Sequence, residues 1–190
     1  MEFTDESILL IRNWQTVEDI QEAASGLEKE MAKFLKSVEQ ELDETDWWSE
    51  VWEFFDHAPR PDVGITTAKW RGADENVIWI GVDNFTCDRA LGSADPPLLY
   101  VWVEEEDGHD LCQLLVARID EMPGEPVGEL DYKKNSSYAV KQPVQKCPPG
   151  GGEEYFEAVM EQTLDFCEHY ASVLLELDDV IREHLAKGGE

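Results

Sequence analysis

Glu153, Glu157, Glu161, Asp165 and Glu168 follow one another at spacings of four, four, four and three. At 3.6 residues per turn, that spacing lays five carboxylates along one face of a helix. Like charges at i, i+4 oppose helix formation by about 0.3 kcal/mol per pair, so the stripe works against the element that carries it. The chemistry it offers is recognition: a rigid line of anions for a basic partner. Carboxylates about 6 Å apart are sparser than duplex DNA, which carries one charge per ~1.7 Å of axis. A substitute polyanion would need further acid. Glu104, Glu105, Glu106 and Asp107 supply it in one segment, and Glu39, Glu41, Asp43, Glu44 and Asp46 in another.

Catalytic chemistry finds no comparable grouping. Glu161, Asp165 and His169 stand at i, i+4, i+8 and could offer oxygen and nitrogen to a metal. Bundle-type di-metal sites use Glu-x-x-His twice, however, and the chain has that spacing once, at Glu106 and His109 in an expected turn rather than on a long helix. Two-metal phosphodiester chemistry needs acids and usually a positioned Lys. After Pro61-Asp62 the next segment presents Thr67-Ala68-Lys69, without the acid that such a site requires. No Ser, His and Asp grouping or phosphate-cradling glycine motif is present, and Gly150-Gly151-Gly152 is followed by the repelling pair Glu153-Glu154. The expectation is no catalytic residue, no metal and no cofactor.

A second candidate site is aromatic. Trp79, Tyr100 and Trp102, joined by Gln113, fall on one side of the expected strands, with Gly81 leaving space beside the rings. That side reads either as a small-ligand pocket or as a second core layer beneath a helix bearing Trp48, Trp52 and Phe55. Lys133, Lys134, Lys141 and Lys146 occupy a stretch free of acids and are expected to pair with the acidic helices.

The elements that must position these residues follow from periodicity. Val17, Ile20, Ala24, Leu27, Met31, Phe34 and Val38 alternate steps of three and four, a heptad seam predicting a helix from about Thr16, with Asp19 completing a capping box. Trp48, Val51, Trp52 and Phe55 predict a shorter helix, ended by Pro59 and Pro61. Strands are expected at Val63–Trp70, Val77–Asp83, Leu98–Glu104 and Leu111–Ile119, with Tyr138–Val144 as an edge. Ile78, Ile80 and Val82, with Leu99, Val101 and Val103, form the aliphatic side. A long helix runs from Glu153 to about Leu185, with a seam of Cys167, Tyr170, Leu174, Leu177 and Ile181. The fold class expected is α+β: a mainly antiparallel, four- to five-stranded meander against long N- and C-terminal helices. We expect one domain over 1–190, helical to 57, sheet from 63 to 144, helix from 153 to 186. The two long helices should pair with each other, or, as the second arrangement, across a homodimer.

Charge bounds the partners. In 190 residues, 43 acids face 15 Lys and Arg, a net charge of -28. Direct binding to nucleic acid or an anionic membrane needs a basic patch that this balance opposes. Apolar residues at 42% exclude a disordered acidic tail. The N-terminus lacks the parts of a signal peptide, and four cysteines without a C-x-x-C pair fit a reduced, cytoplasmic protein. Salt adaptation is one explanation of the acid. The other, which leads here, is a non-catalytic inhibitor or antagonist, immunity-type or DNA-mimic-type, whose partner is a basic toxin or nucleic-acid-binding protein. A small-ligand-binding domain of a salt-adapted organism is the alternative.

Overall fold

In the computed structural model, which describes residues 4–54, 61–71, 76–92, 94–104 and 109–188, the alternating segments assemble into one sheet. Its strands are β1 (Trp52–Phe54), β2 (Val63–Thr67), β3 (Ile78–Asp83), β4 (Leu98–Val103), β5 (Glu129–Leu130) and β6 (Tyr138–Pro143). They lie in the order β1-β2-β3-β4-β6-β5, and every neighbouring pair is antiparallel. The helices are α1 (Asp5–Arg12), α2 (Trp14–Asp43), α3 (Cys87–Ala90), α4 (His109–Asp120), α5 (Glu153–Glu176) and α6 (Asp178–Gly188). The class is α+β, with long helices near both ends. The sheet has six strands rather than four or five, and β6 sits inside it, between β4 and β5. No described helix is long and apolar enough to cross a membrane.

Cross-strand register sorts the two sides of the sheet. Ile80 pairs with Ile65 and Val101, and Val82 with Val63 and Leu99. These six side chains share the aliphatic side, and none is more than 2% exposed. They form one core with Met31, Leu35, Val38 and Leu42 of α2 and with the inner residues of α5. Gly81 pairs with Gly64, and a Cβ on Gly81 would overlap the Val63 carbonyl. Its glycine serves backbone approach between strands, not space beside the rings.

Several expected elements take another form. Leu111–Ile119 is helical, within α4. Leu111, Cys112, Leu115, Val116 and Ile119 are buried at steps of one, three, one and three, a helical period that a short apolar run conceals. The segment after Thr45 is no helix: it turns and enters β1, where Trp52 and Phe54 project to the aliphatic side opposite Thr67 and Ile65. Trp52 packs edge-on to Trp70 at 5.7 Å and Trp48 stacks on Phe54 at 4.7 Å, contacts that favour the strand. Phe55 lies outside the described residues. β2 ends at Thr67, and a turn of 3-10 helix over Ala68–Trp70 aims the Trp70 indole N–H at Asp178 Oδ1, 3.1 Å away.

The N-terminal helix begins earlier than Thr16. Thr4 caps α1 by accepting from the Ser7 N–H at 3.2 Å, whereas Asp19 accepts from Gln15 Nε2 at 2.9 Å within α2 instead of capping. Only the C-terminal half of the predicted seam is buried, through Met31 and Val38, with Leu35 and Leu42. Ile20 is 63% exposed and Trp14 52%. Length explains this: α2 has 30 residues, about 45 Å of helix, against roughly 20 Å for a six-residue strand, so it overhangs the sheet. The C-terminal helix is interrupted at Leu177, between α5 and α6, yet Cys167, Tyr170, Leu174 and Ile181 of its seam are all buried.

Candidate functional site

α5 enters through Gly150, at φ +81, and Gly152, whose carbonyl accepts the Tyr155 N–H at 3.0 Å. Glu153 and Glu154 stand in its first turn, where carboxylates suit the helix dipole. The inner face is anchored by Tyr155, Val159, Thr163, Phe166, Cys167, Tyr170 and Leu174. Two of its three hydroxyls are spent internally, while that of Tyr155 is buried with no hydrogen-bond partner among the described residues. Thr163 Oγ1 donates to the Val159 carbonyl at 2.7 Å, and the Tyr170 hydroxyl to the Val127 carbonyl at 2.7 Å. Burial pushes the Cys167 thiol up to about 12 and that of Cys112 to about 11. Thiols held so far from ionisation are structural, not nucleophilic.

The outer face is different. Glu153, Glu157, Glu161, Asp165 and Glu168 are all exposed, and none forms an ion pair among the described residues. Nor do the lysines of the loop region reach them. Lys141 pairs with Asp131 at 2.8 Å, Lys146 donates to the Gly92 and Ala94 carbonyls, and Lys133 and Lys134 stay exposed. Among the described residues, the expected pairing of these lysines with the acidic helices is therefore not made. Asp131 uses what Lys141 provides: burial opposes its charge, but bonds from Lys141, the Lys133 N–H and Ser136 hold its carboxyl below the usual carboxylate range.

Beside the acid stripe runs a groove of 480 Å³ between α2 and α5. Phe34, Phe156, Met160 and Leu164 line its apolar part, and Glu41, Glu157, Glu161 and Asp165 also line it. The Phe34 and Phe156 rings meet at 5.1 Å, which ties the two helices together at this point. Phe156, Met160 and Leu164 precede Glu157, Glu161 and Asp165 by one residue each, so apolar and acidic rows run in parallel along α5. The groove was not expected. Its signal is an apolar arc on α5 wider than the buried seam needs, half-buried rather than enclosed.

The other acids are not gathered here. Glu104 follows β4, half-buried, with its N–H bonded to the Val77 carbonyl at 2.9 Å, and does not line the groove. Glu105, Glu106 and Asp107 lie outside the described residues. From the α2 set only Glu41 contributes to the lining; Asp43, Glu44 and Asp46 are exposed elsewhere along the chain.

On the aromatic side, Trp79 pairs with Trp102 and Gly81 with Tyr100. Trp79 is 9% exposed and Tyr100 6%, and with half-buried Trp102 they stand apart from the main core. Tyr100 meets the Tyr138 ring edge-on at 6.2 Å, and the Tyr138 hydroxyl donates to Asp83 Oδ2 at 3.0 Å. Burial first, then the Asp83 charge, pushes Tyr138 up to about 12. Gln113 does not join them: it sits on α4, with Nε2 donating to the Lys133 carbonyl at 3.1 Å. The expected grouping of three rings with Gln113 thus keeps its rings and loses the amide.

Among the described residues, no three His, Cys, Asp or Glu side chains converge as metal ligands would. His169 packs edge-on against Tyr170 at 4.7 Å. No protein-family model, curated protein or solved structure matches this chain.

Proposed function

We propose that this protein is a non-catalytic interaction module whose acidic α5 face engages a basic protein, in the manner of an inhibitor or antagonist of a nucleic-acid-acting factor. One observation carries the reading: Glu157, Glu161 and Asp165 stand without ion pairs among the described residues, beside an apolar groove. Carboxylates that the fold does not use, and that cost helix stability, are explained by a partner that neutralises them. Glu41, from α2, adds acid beyond the single row that falls short of duplex charge density. The buried aromatic side, with Gln113 committed elsewhere, supports a ligand pocket less well.

The test is capture from extract of the source cell at low and high salt. Bait carrying Glu157→Lys, Glu161→Lys and Asp165→Lys is compared with the native chain. The native chain should retain an identifiable basic protein, released as salt rises to about 1 M, where the Debye length falls to ~3 Å. The triple variant should lose it. Equal retention by both baits, or retention of neutral and acidic proteins only, counts against the proposal.

A further inference from the structure

The groove between α2 and α5 does more than accompany the acids, and its shape and lining restrict what can fill it. Phe156, Met160 and Leu164 repeat every four residues, and Phe34 closes the row from α2. Eight residues of α5 separate the first from the last, about 12 Å at 1.5 Å per residue. Both lining helices contribute acid: Glu41 from α2, and Glu157, Glu161 and Asp165 from α5.

An occupant must therefore present a short apolar row with positive charge beside it. It must also satisfy its own backbone. The groove is walled by helices, whose main-chain groups are already bonded along their axes, so an extended segment would find no ladder to join. A helix carries its own hydrogen bonds and needs none from the wall. Two turns of amphipathic helix, with apolar side chains at i, i+4 and i+7, match the length of the apolar row. Lys and Arg flanking that row would then face Glu41 and the α5 acids. Met160, unbranched and polarisable, adapts to more than one apolar contour.

Other occupants fit worse. An anionic membrane or a nucleic acid would be repelled by the same acids. A second copy of this chain, at net charge -28, brings mainly acid to a wall of acid. We propose that the α2–α5 groove is the seat of a basic amphipathic helix supplied by the protein partner. This rests on the reading of the α5 face as partner-binding, and goes further in naming the shape of what binds.

The experiment uses the full chain and two synthetic peptides of about 14 residues. Both contain the same numbers of Leu and Lys. One places Leu at i, i+4, i+7 and i+11; the other scrambles the order so that no stripe forms. Binding is followed by fluorescence anisotropy at about 0.1 M salt. The striped peptide should bind at least about tenfold more tightly than the scrambled one. That preference should vanish in Met160→Glu and shrink in Leu164→Gln, each checked by circular dichroism for an intact fold. Equal affinity for the two peptides overturns the groove inference. So does a preference that survives both groove variants, or no binding of either peptide. If both peptides bind equally and the triple Lys variant loses both, the acidic-face reading survives while the groove inference falls.

Discussion

The two faces of α5 were built to different requirements. On the inner face, Val159, Phe166, Cys167, Tyr170 and Leu174 are at most 3% exposed, and Thr163 and Tyr170 spend their hydroxyls on carbonyls. On the outer face five carboxylates repeat without an ion pair among the described residues. The fold accounts for the first face: without it the sheet would keep only the cover that α2 and the other core helices provide. It does not account for the second beyond Glu153, which suits the dipole in the first turn; the i, i+4 repeats that follow oppose the helix electrostatically. Residues that the fold neither needs nor benefits from are where a function outside the fold is to be sought, and the half-buried row of Phe156, Met160 and Leu164 marks the border between the two.

That contrast can be broken by mutation. The largest effect should come from Leu174→Ala, which opens a cavity at a fully buried site and should cost about 3 kcal/mol by denaturant unfolding. A loss under about 1 kcal/mol would mean that the inner face is not the structural one. Tyr170→Phe comes next. It leaves the Val127 carbonyl without its partner and should cost about 1 kcal/mol, with little change in the slope of the transition. The smallest effect, of opposite sign, belongs to the outer face. Glu161→Lys turns two repulsive i, i+4 pairs, with Glu157 and Asp165, into attractive ones. It should raise stability by about 0.5 kcal/mol at low salt, and by less at 1 M. A destabilised Glu161→Lys protein would show that this face carries structural weight after all.

Much of this was legible along the chain, and the exceptions share a cause. The acid row of α5 and the alternation of Ile78, Ile80 and Val82 are local repeats, visible without knowing what lies across from them. Leu111–Ile119 is a short apolar run whose composition suits strand or helix, and its neighbours decided for helix. Trp48, Val51, Trp52 and Phe55 have helical spacing, but Trp52 and Phe54 also have strand spacing, and pairing with Thr67 and Ile65 settled it. Gln113 left the aromatic side because its segment became α4. The groove was hidden most deeply, since Phe34 and Phe156 are more than a hundred residues apart and only their ring contact at 5.1 Å brings the two rows together.

The seam of α2 makes the same point within one helix. Val17 to Val38 repeats without a break, yet Met31 is 3% exposed and Ile20 63%. Periodicity specifies which face of a helix is apolar, because it depends only on the 3.6-residue turn. It carries no information about how far the covering layer extends. From its sequence alone, this protein was bound to be strongly acidic, α+β, and built of long helices with an alternating aliphatic sheet side, because charge and local period belong to each segment by itself. The tertiary structure decided the strand order, which half of α2 is covered, and the meeting of Phe34 with Phe156 beneath Glu157, Glu161 and Asp165. Those depend on relative lengths and distant contacts, which no single segment contains.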